Sequence, residues 1–530
     1  MIAISAYTIY FNERQGMLYM TKTVRILACL LALLMLCFTA VACADSGDED
    51  MGDAVDTTTP AAADVQTTPA DSAQETTADE YQVDDSLPAD LKFDGETIYV
   101  LSRDNDGSRD EIAVDDYSGE PINDSIYERN VEVEGRLGIS IDNTMLTGGQ
   151  YVVTDQIRTL VQSGTEAYDM FANSCYSTIM YTSEGLFQDL TDVEYLDLSQ
   201  PYWSQGFNKV ASFENSQYLC AGALGLTLYR YMFVTMFNKD MLNSRGIEDL
   251  YGVVNAGKWT LDYQAELAAQ MYNDANGDGL KDEKDVYGFI SGPVAYVDPY
   301  WSSCKLPILV KDGDNRYELA LNIERISSAV DKILKLYHEC DGSYIYPSVS
   351  DAQDQLNLAS HFGDGRSATA TLRLLSVETR ELRDMTDKYG IIPIPKMDET
   401  QDGYQTFVHD QFTALGIPLT VKEDRLPLVG AYMECTAAAS YRTVIPAYYE
   451  VALKDKYLND TESAEMLDMI YASIYIDGGV LYTKSLASVH QQLRNIIKSK
   501  SNTTANVFKA LSRSLDRQLD SLMAGLDKLS

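Results

Sequence analysis

The sequence predicts an α/β protein with two or more lobes, and three observations carry that expectation. Short apolar strands alternate with amphipathic stretches early in the body, which is the pattern of a sheet with parallel pairing. The chain has 530 residues, 45% hydrophobic and 23% charged, which is globular in composition and too long for a single core. The C-terminal third is mainly helical, with amphipathic runs near 461–475 and 486–528, and no internal repeat is visible.

The body opens with the strand "ETIYVLSR" (96–103). In "SIYERNVEVEGRLGISI", Ile126, Val131 and Val133 stand among charges, which reads as a helix followed by a short strand. "YVVTDQIRTLVQSG" (151–164) repeats the helical pattern and stops at Gly164, and "AYDMFAN" (167–173) reads as a buried strand. "RYMFVTMFNKDML" (230–242) is an apolar strand running into a helix start, and Thr260 initiates a helix after Trp259.

Composition excludes several classes. The net charge of −39 argues against a nucleic-acid partner, which needs a basic face. The four histidines, His338, His361, His409 and His490, are scattered, and no HExxH, CxxC, GxSxG or P-loop motif occurs. Paired carboxylates suffice for a glycosidase, so missing motifs alone do not exclude an enzyme.

The front of the chain reads as a targeting device. From Met20, Lys22 and Arg25 precede an apolar run that ends in small residues before Cys43, as in a secretory signal over residues 1–42. An uncleaved membrane anchor is the alternative. "AVAC" resembles the lipobox of bacterial lipoproteins, which implies a lipid on Cys43, although Ala40 stands where Leu is commoner. Residues 44–91 hold 14 acids and no Lys or Arg, so 43–91 reads as a lipidated cysteine with a disordered acidic tether. Behind it the odd, scattered set Cys175, Cys220, Cys304, Cys340 and Cys435 is no disulfide framework.

"YNDANGDGLKDEKDVYGF" (272–289) looks like a calcium loop. Asp274, Asn276 and Asp278 alternate, Gly279 permits a sharp turn, and Leu280 can offer its carbonyl. Asp282 follows, and either Glu283 or Asp285 could close the set. A sensor needs paired units, and only one loop is present, so the expectation is a structural Ca2+ clip. The alternative is an acidic surface turn without metal.

The order of "RYMFVTMFNKDML", "KWTLDYQAELAAQM", the acidic loop, "VYGF", "VDPYW" (297–301), "FGDGRSATATL" (362–372) and "YGIIPIPK" (389–396) resembles the extracellular solute-binding lipoproteins of ABC importers, in the maltose-binding-protein-like group. The resemblance spans roughly 93–475. It implies a periplasmic-binding-protein-like type II fold, with two α/β lobes, a crossing-strand hinge and a ligand cleft between them. Lobe 1 would be 93–235 plus 396–440, and lobe 2 would be 240–390 plus 446–530. Crossings are expected near 230–238, 389–396 and 442–449.

A sugar cleft combines aromatic faces with carboxylates and amides. The resemblance places Asp298 and Tyr300 on one wall, while Trp301 suits wall or core equally. Arg103 and Asp104 follow the first strand, Asn173 and Tyr176 follow "YDMF", and Tyr231 lies at the first crossing. These positions beyond strand ends are where α/β lobes bind ligands. After "FGDGRSATA" a stacking Trp is common in sugar binders. Here Arg373 and Leu375 stand nearby, and Arg373 could answer an acidic ligand instead.

The reading is a monomeric, non-enzymatic, membrane-anchored protein on the outer face of a bacterial cytoplasmic membrane. It would capture a small-molecule solute, an oligosaccharide, for ABC permease subunits. A surface glycoside hydrolase or lyase, and a non-transporting glycan-binding sensor, are the alternatives.

Overall fold

The computed structural model describes residues 81–105, 107–247, 249–454 and 461–529. The expected signal, Cys43 and most of the tether lie outside the described residues. The first sheet starts with β1 (Thr97–Asp104), whose Ile98, Val100 and Leu101 are buried. Helix α1 (Pro121–Leu137) begins on a proline suited to a first helical turn and ends at Gly138, whose φ of 65° needs no Cβ. It leads to β2 (Ser140–Thr147), parallel to β1 from Thr97↔Ser140 to Asp104↔Thr147. Helix α2 (Val152–Ser163) ends at Gly164, as expected, with that amide donating to the Leu160 and Val161 carbonyls. β3 (Met170–Ser174) is buried throughout and runs parallel on the other side of β1.

The second sheet is entered through β4 (Phe233–Asn238), every residue of which is buried. Thr260 caps α3 (Leu261–Ala269) by accepting the Tyr263 amide at 3.2 Å. Then come β5 (Tyr287–Ser291), α4 (Ile323–Leu334), β6 (Ser343–Ile345), α5 (Asp351–Gly363), β7 (Ser367–Arg373) and β8 (Tyr389–Ile392). The strand order is β6-β5-β7-β4-β8, with β4 antiparallel to β7 and β8. The chain then returns through 407–409. The Phe233 amide donates to the Phe407 carbonyl, and the His409 amide to the Tyr231 carbonyl, so two segments run side by side between the sheets. β9 (Thr413–Gly416) completes the first sheet antiparallel to β3, giving β9-β3-β1-β2.

The remainder is helical and differs from expectation in three places. Helices α6 (Leu426–Arg442) and α7 (Val444–Lys454) meet at a non-helical Thr443, and both pack on α1 of the first sheet. No crossing strand therefore occurs at 442–449: the stretch is helix, with Val444 and Ile445 buried and the Tyr448 ring against Arg230. The passage comes later, since α8 (Thr461–Ala472) packs on β8 of the second sheet. After α9 (Gln491–Lys498), the long α10 (Thr504–Leu526) touches α4 and also the turn at 179–184, so it belongs to both lobes and not to the second alone.

The third difference is at the end of the expected tether. Residues 81–91 pack on the body: the Tyr81 ring lies 5.0 Å from that of Tyr441, Leu87 is buried, and Ser86 donates to Glu434 at 2.7 Å. Two apolar anchors and one buried carboxylate outweigh the acidic composition there. All five body cysteines are free, and among the described residues no helix is long and apolar enough to cross a membrane.

Candidate functional site

The carboxyl ends of β1, β7 and the 407–409 segment bring charged side chains together around Tyr231, in the chain passage between the sheets. Tyr231 is buried, its hydroxyl donates to Asn105 at 3.2 Å, and its ring meets the His409 ring edge-on at 6.0 Å. Arg103 arrives from the end of β1. Arg373 arrives from the end of β7, with its guanidinium 5.4 Å from the centre of the Tyr231 ring. Arg373 pairs with Asp351 at 3.2 Å and donates to Gln355. Beside them Arg230 holds Glu378 through two bonds of 2.9 and 2.8 Å.

A second charged group adjoins the first. Asp298, 1% exposed, is gripped by Arg494 of α9 through both carboxylate oxygens, with His490 Nε2 3.7 Å away. From the first lobe, His409 and Asp410 face this pair.

Burial dominates the electrostatics. It pushes the Asp410 carboxyl up to about 7, with Arg494 pulling down and Asp298 and Asp351 pushing up further. It lowers the His409 imidazole to about 3, so that ring is neutral. Burial also raises Asp298 against the pull of Arg494. Asp351 goes the other way: burial opposes its ionisation, but the charge of Arg373, with that of Arg494, outweighs burial and holds it below the usual range.

Of the residues expected to bind ligand, Arg103, Tyr231, Arg373 and Asp298 are thus brought into one region. Tyr176 borders it: its amide donates to the Asp410 carbonyl at 2.8 Å, and its half-buried ring lies 5.2 Å from the Lys484 ammonium. Asp104 turns away to pair with Arg109 at 2.5 Å and accept from Thr147 at 3.0 Å. Asn173 is tied inside the first lobe by the hydroxyls of Thr154, Ser177 and Thr178. Tyr300 and Trp301 are corrections. Tyr300 is 0% exposed and packs edge-on against Tyr337, and the Trp301 indole donates to the His490 carbonyl at 2.9 Å. Pro299 starts a short helix that turns both rings into the core, so neither presents a face to a ligand.

Sequence reasoning missed Asp351, His409, Asp410, His490 and Arg494. His409 and Asp410 are adjacent in "VHDQ", yet one such pair has no local signature. Arg494 lies in an amphipathic run that reads only as packing.

The acidic loop curls as expected but uses its acids on its own backbone. Asp274 accepts the amides of Gly277 at 2.7 Å and Gly279 at 2.9 Å, Asp278 accepts that of Leu280, and Asp282 that of Lys284. Among the described residues no three metal-type side chains converge. Asp285 is wholly buried and braces the loop by accepting the Ala275 amide and the Tyr272 hydroxyl. The exposed donors are all hard oxygens, the chemistry a calcium ion takes; Asp285 does not fit as the closing ligand, which leaves Glu283.

No family model matches the chain, and no curated protein matches its sequence. Solved structures do match its fold. An ABC transporter solute-binding protein from Thermotoga lettingae, bound with α-D-tagatose, aligns at a TM-score of 0.51 and 12% identity over 80% of this chain and 100% of that one. A sugar transporter protein from Rhizobium etli, in an open conformation, aligns at 0.52 and 14% identity over 81% and 99%. The galacto-N-biose/lacto-N-biose I-binding protein of a Bifidobacterium longum ABC transporter aligns at 0.52 and 12% identity over 79% and 98%. The chain has the solute-binding-protein fold. In that fold the charged region around Tyr231 lies between two α/β lobes, where residues from both can touch one ligand.

Proposed function

We propose that this chain is a substrate-binding lipoprotein that captures an oligosaccharide outside the cell and delivers it to an ABC permease, held at the membrane by a lipid on Cys43. The observation that carries the reading is the meeting of Arg103 from the first sheet with Arg373 from the second, around Tyr231 in the interlobe passage. A ligand touching both walls favours the closed arrangement through its extra contacts there. The test is calorimetric titration with glycans that raise the melting temperature, followed by X-ray scattering. Binding with a smaller radius of gyration and no bond cleavage is expected. Cleaved product in the cell would instead indicate the hydrolase or lyase, and binding with unchanged dimensions would count against closure.

We also propose that the 274–283 loop takes calcium as a structural clip through Asp274, Asn276, Asp278, the Leu280 carbonyl, Asp282 and Glu283. The support is the donor set and its curl around Gly279. At free calcium 100 times the dissociation constant, linkage stabilises the fold by about 2.7 kcal/mol. Chelation should lower the melting temperature, and Asp278→Ala should abolish that response. A wild-type melting curve indifferent to chelator sinks the clip.

A further inference from the structure

The buried arginines among the described residues are Arg103, Arg129, Arg230 and Arg373, and three of them are answered. Arg129 donates to the carbonyls of Glu111 and Ile112 and to Ser440. Arg230 holds Glu378, and Arg373 holds Asp351 and Gln355. Arg103 is 5% exposed, and no hydrogen-bond acceptor or ion-pair partner among the described residues meets it. Its nearest acid in effect is Glu111, whose two oxygens are already taken by the Thr227 amide and, at 2.5 Å, the Thr413 hydroxyl. A guanidinium largely withdrawn from water and without a protein partner is costly, and proteins rarely retain one that nothing answers.

Two more unanswered polar atoms lie around the same tyrosine. Arg373 Nε and His409 Nδ1 are buried with no hydrogen-bond partner. Tyr231 feels the positive charge of Arg373, Arg103 and Arg230 together. Arg103 belongs to the first lobe and Arg373 to the second, and the charges of both act on Tyr231. Arg230, Arg373 and Arg494 each pair with a carboxylate, so Arg103 is the positive charge left over, and a neutral hydroxyl would leave it unbalanced.

We propose that the solute is an acidic saccharide whose oxyanion, a carboxylate or a sulfate, is held beside Tyr231 by the Arg103 guanidinium. This rests on the solute-binding reading above. Arg103 presents a planar fork that matches an oxyanion with two bonds, while Arg373 keeps its Asp351 pair. Asp298 is held by Arg494 through both oxygens and Asp351 by Arg373 through one, and neither pairs with Arg103.

The test is a thermal-shift panel on the mature chain, using neutral oligosaccharides with their uronic-acid and sulfated counterparts, followed by titration of the best acidic member. Stabilisation by acidic members is expected, with at least a tenfold affinity loss in Arg103→Met. The uronic-acid and sulfated arms separate the two oxyanions. Arg103→Met should also keep or raise the melting temperature of the free protein, because the variant removes an unanswered buried charge. A marked fall in that temperature would make Arg103 structural and overturn the proposal. Stabilisation confined to neutral sugars would overturn the acidic ligand and leave the solute-binding reading standing. A panel without any binding member would overturn both.

Discussion

Arg494→Ala should destabilise the folded chain by about 3–5 kcal/mol, a large fraction of the stability of an ordinary domain. Asp298 is almost wholly enclosed, and Arg494 supplies both of its hydrogen bonds, one of them 2.6 Å long. Neutral His490, the other nearby ring, cannot replace that charge, because burial holds it well below its ordinary range. Without Arg494, Asp298 is a buried carboxylate with no counter-charge and must take up a proton to stay inside. The loss should therefore be smaller in acid than at neutral pH. The pair also fastens α9 to the 297–301 segment, where the Trp301 indole already donates to the His490 carbonyl, so both anchors of that helix would weaken together. Lysine should not rescue, since a single ammonium cannot make the two-bond fork. The double variant Asp298→Leu with Arg494→Met should recover much of the loss, because it removes the carboxylate that Arg494 held. Urea unfolding measures both effects. A change within about 0.5 kcal/mol for Arg494→Ala would show that the pair does not hold the fold.

Much of the fold was legible because local rules and tertiary packing agree there. Gly164 ends α2, Thr260 caps α3, and the apolar run at 233–238 is a buried strand, each by a mechanism contained in a few residues. The run at 486–528 was legible as helical but not as two helices, because the break between Lys498 and Thr504 carries no glycine or proline. The passage expected at 442–449 failed for a different reason. Tyr448 and Ile445 are as apolar in a crossing strand as on a helix packed against α1, and only the partner surface decides.

The candidate site divides in the same way. Arg103, Tyr231 and Arg373 could be found because they sit at the ends of strands that the sequence marks clearly. "VDPYW" misled because an aromatic next to an acid has the same composition in a cleft wall and in a core. Its burial is set by Tyr337 and by the His490 carbonyl, nearly 40 and 190 residues away. Arg494 and Asp410 enter only by long-range folding, so no window of the chain contains the pairing that gives them a role.

Asp410→Asn should gain stability over the wild type as the pH rises from about 4 to 8, by up to about 4 kcal/mol. Burial holds the Asp410 carboxyl at about 7, against an ordinary value of 3.8. Between those two values the folded chain keeps a proton that the unfolded chain has released. Wild-type stability from this group is therefore lost through that window and level above it, and asparagine, which does not titrate, escapes the loss. His409 works in the opposite sense. Its imidazole is lowered to about 3 from 6.5, so the unfolded chain binds the extra proton and stability rises with pH over that range. The two nearly cancel in the wild type below pH 6.5, which is why the comparison with Asp410→Asn, and not the wild-type curve alone, isolates the carboxyl. Asp354 and Asp477, both raised to about 6 by burial, slope the same way in both proteins and drop out of the difference. The neighbours that face Asp410, namely Arg494, Asp298, Asp351 and Arg373, remain charged across the window or respond alike in both. Denaturant midpoints at pH 4.5 and pH 8 suffice. An equal offset between the two proteins at both pH values would mean that Asp410 is ionised in the folded chain, paired across the cleft with Arg494 after all.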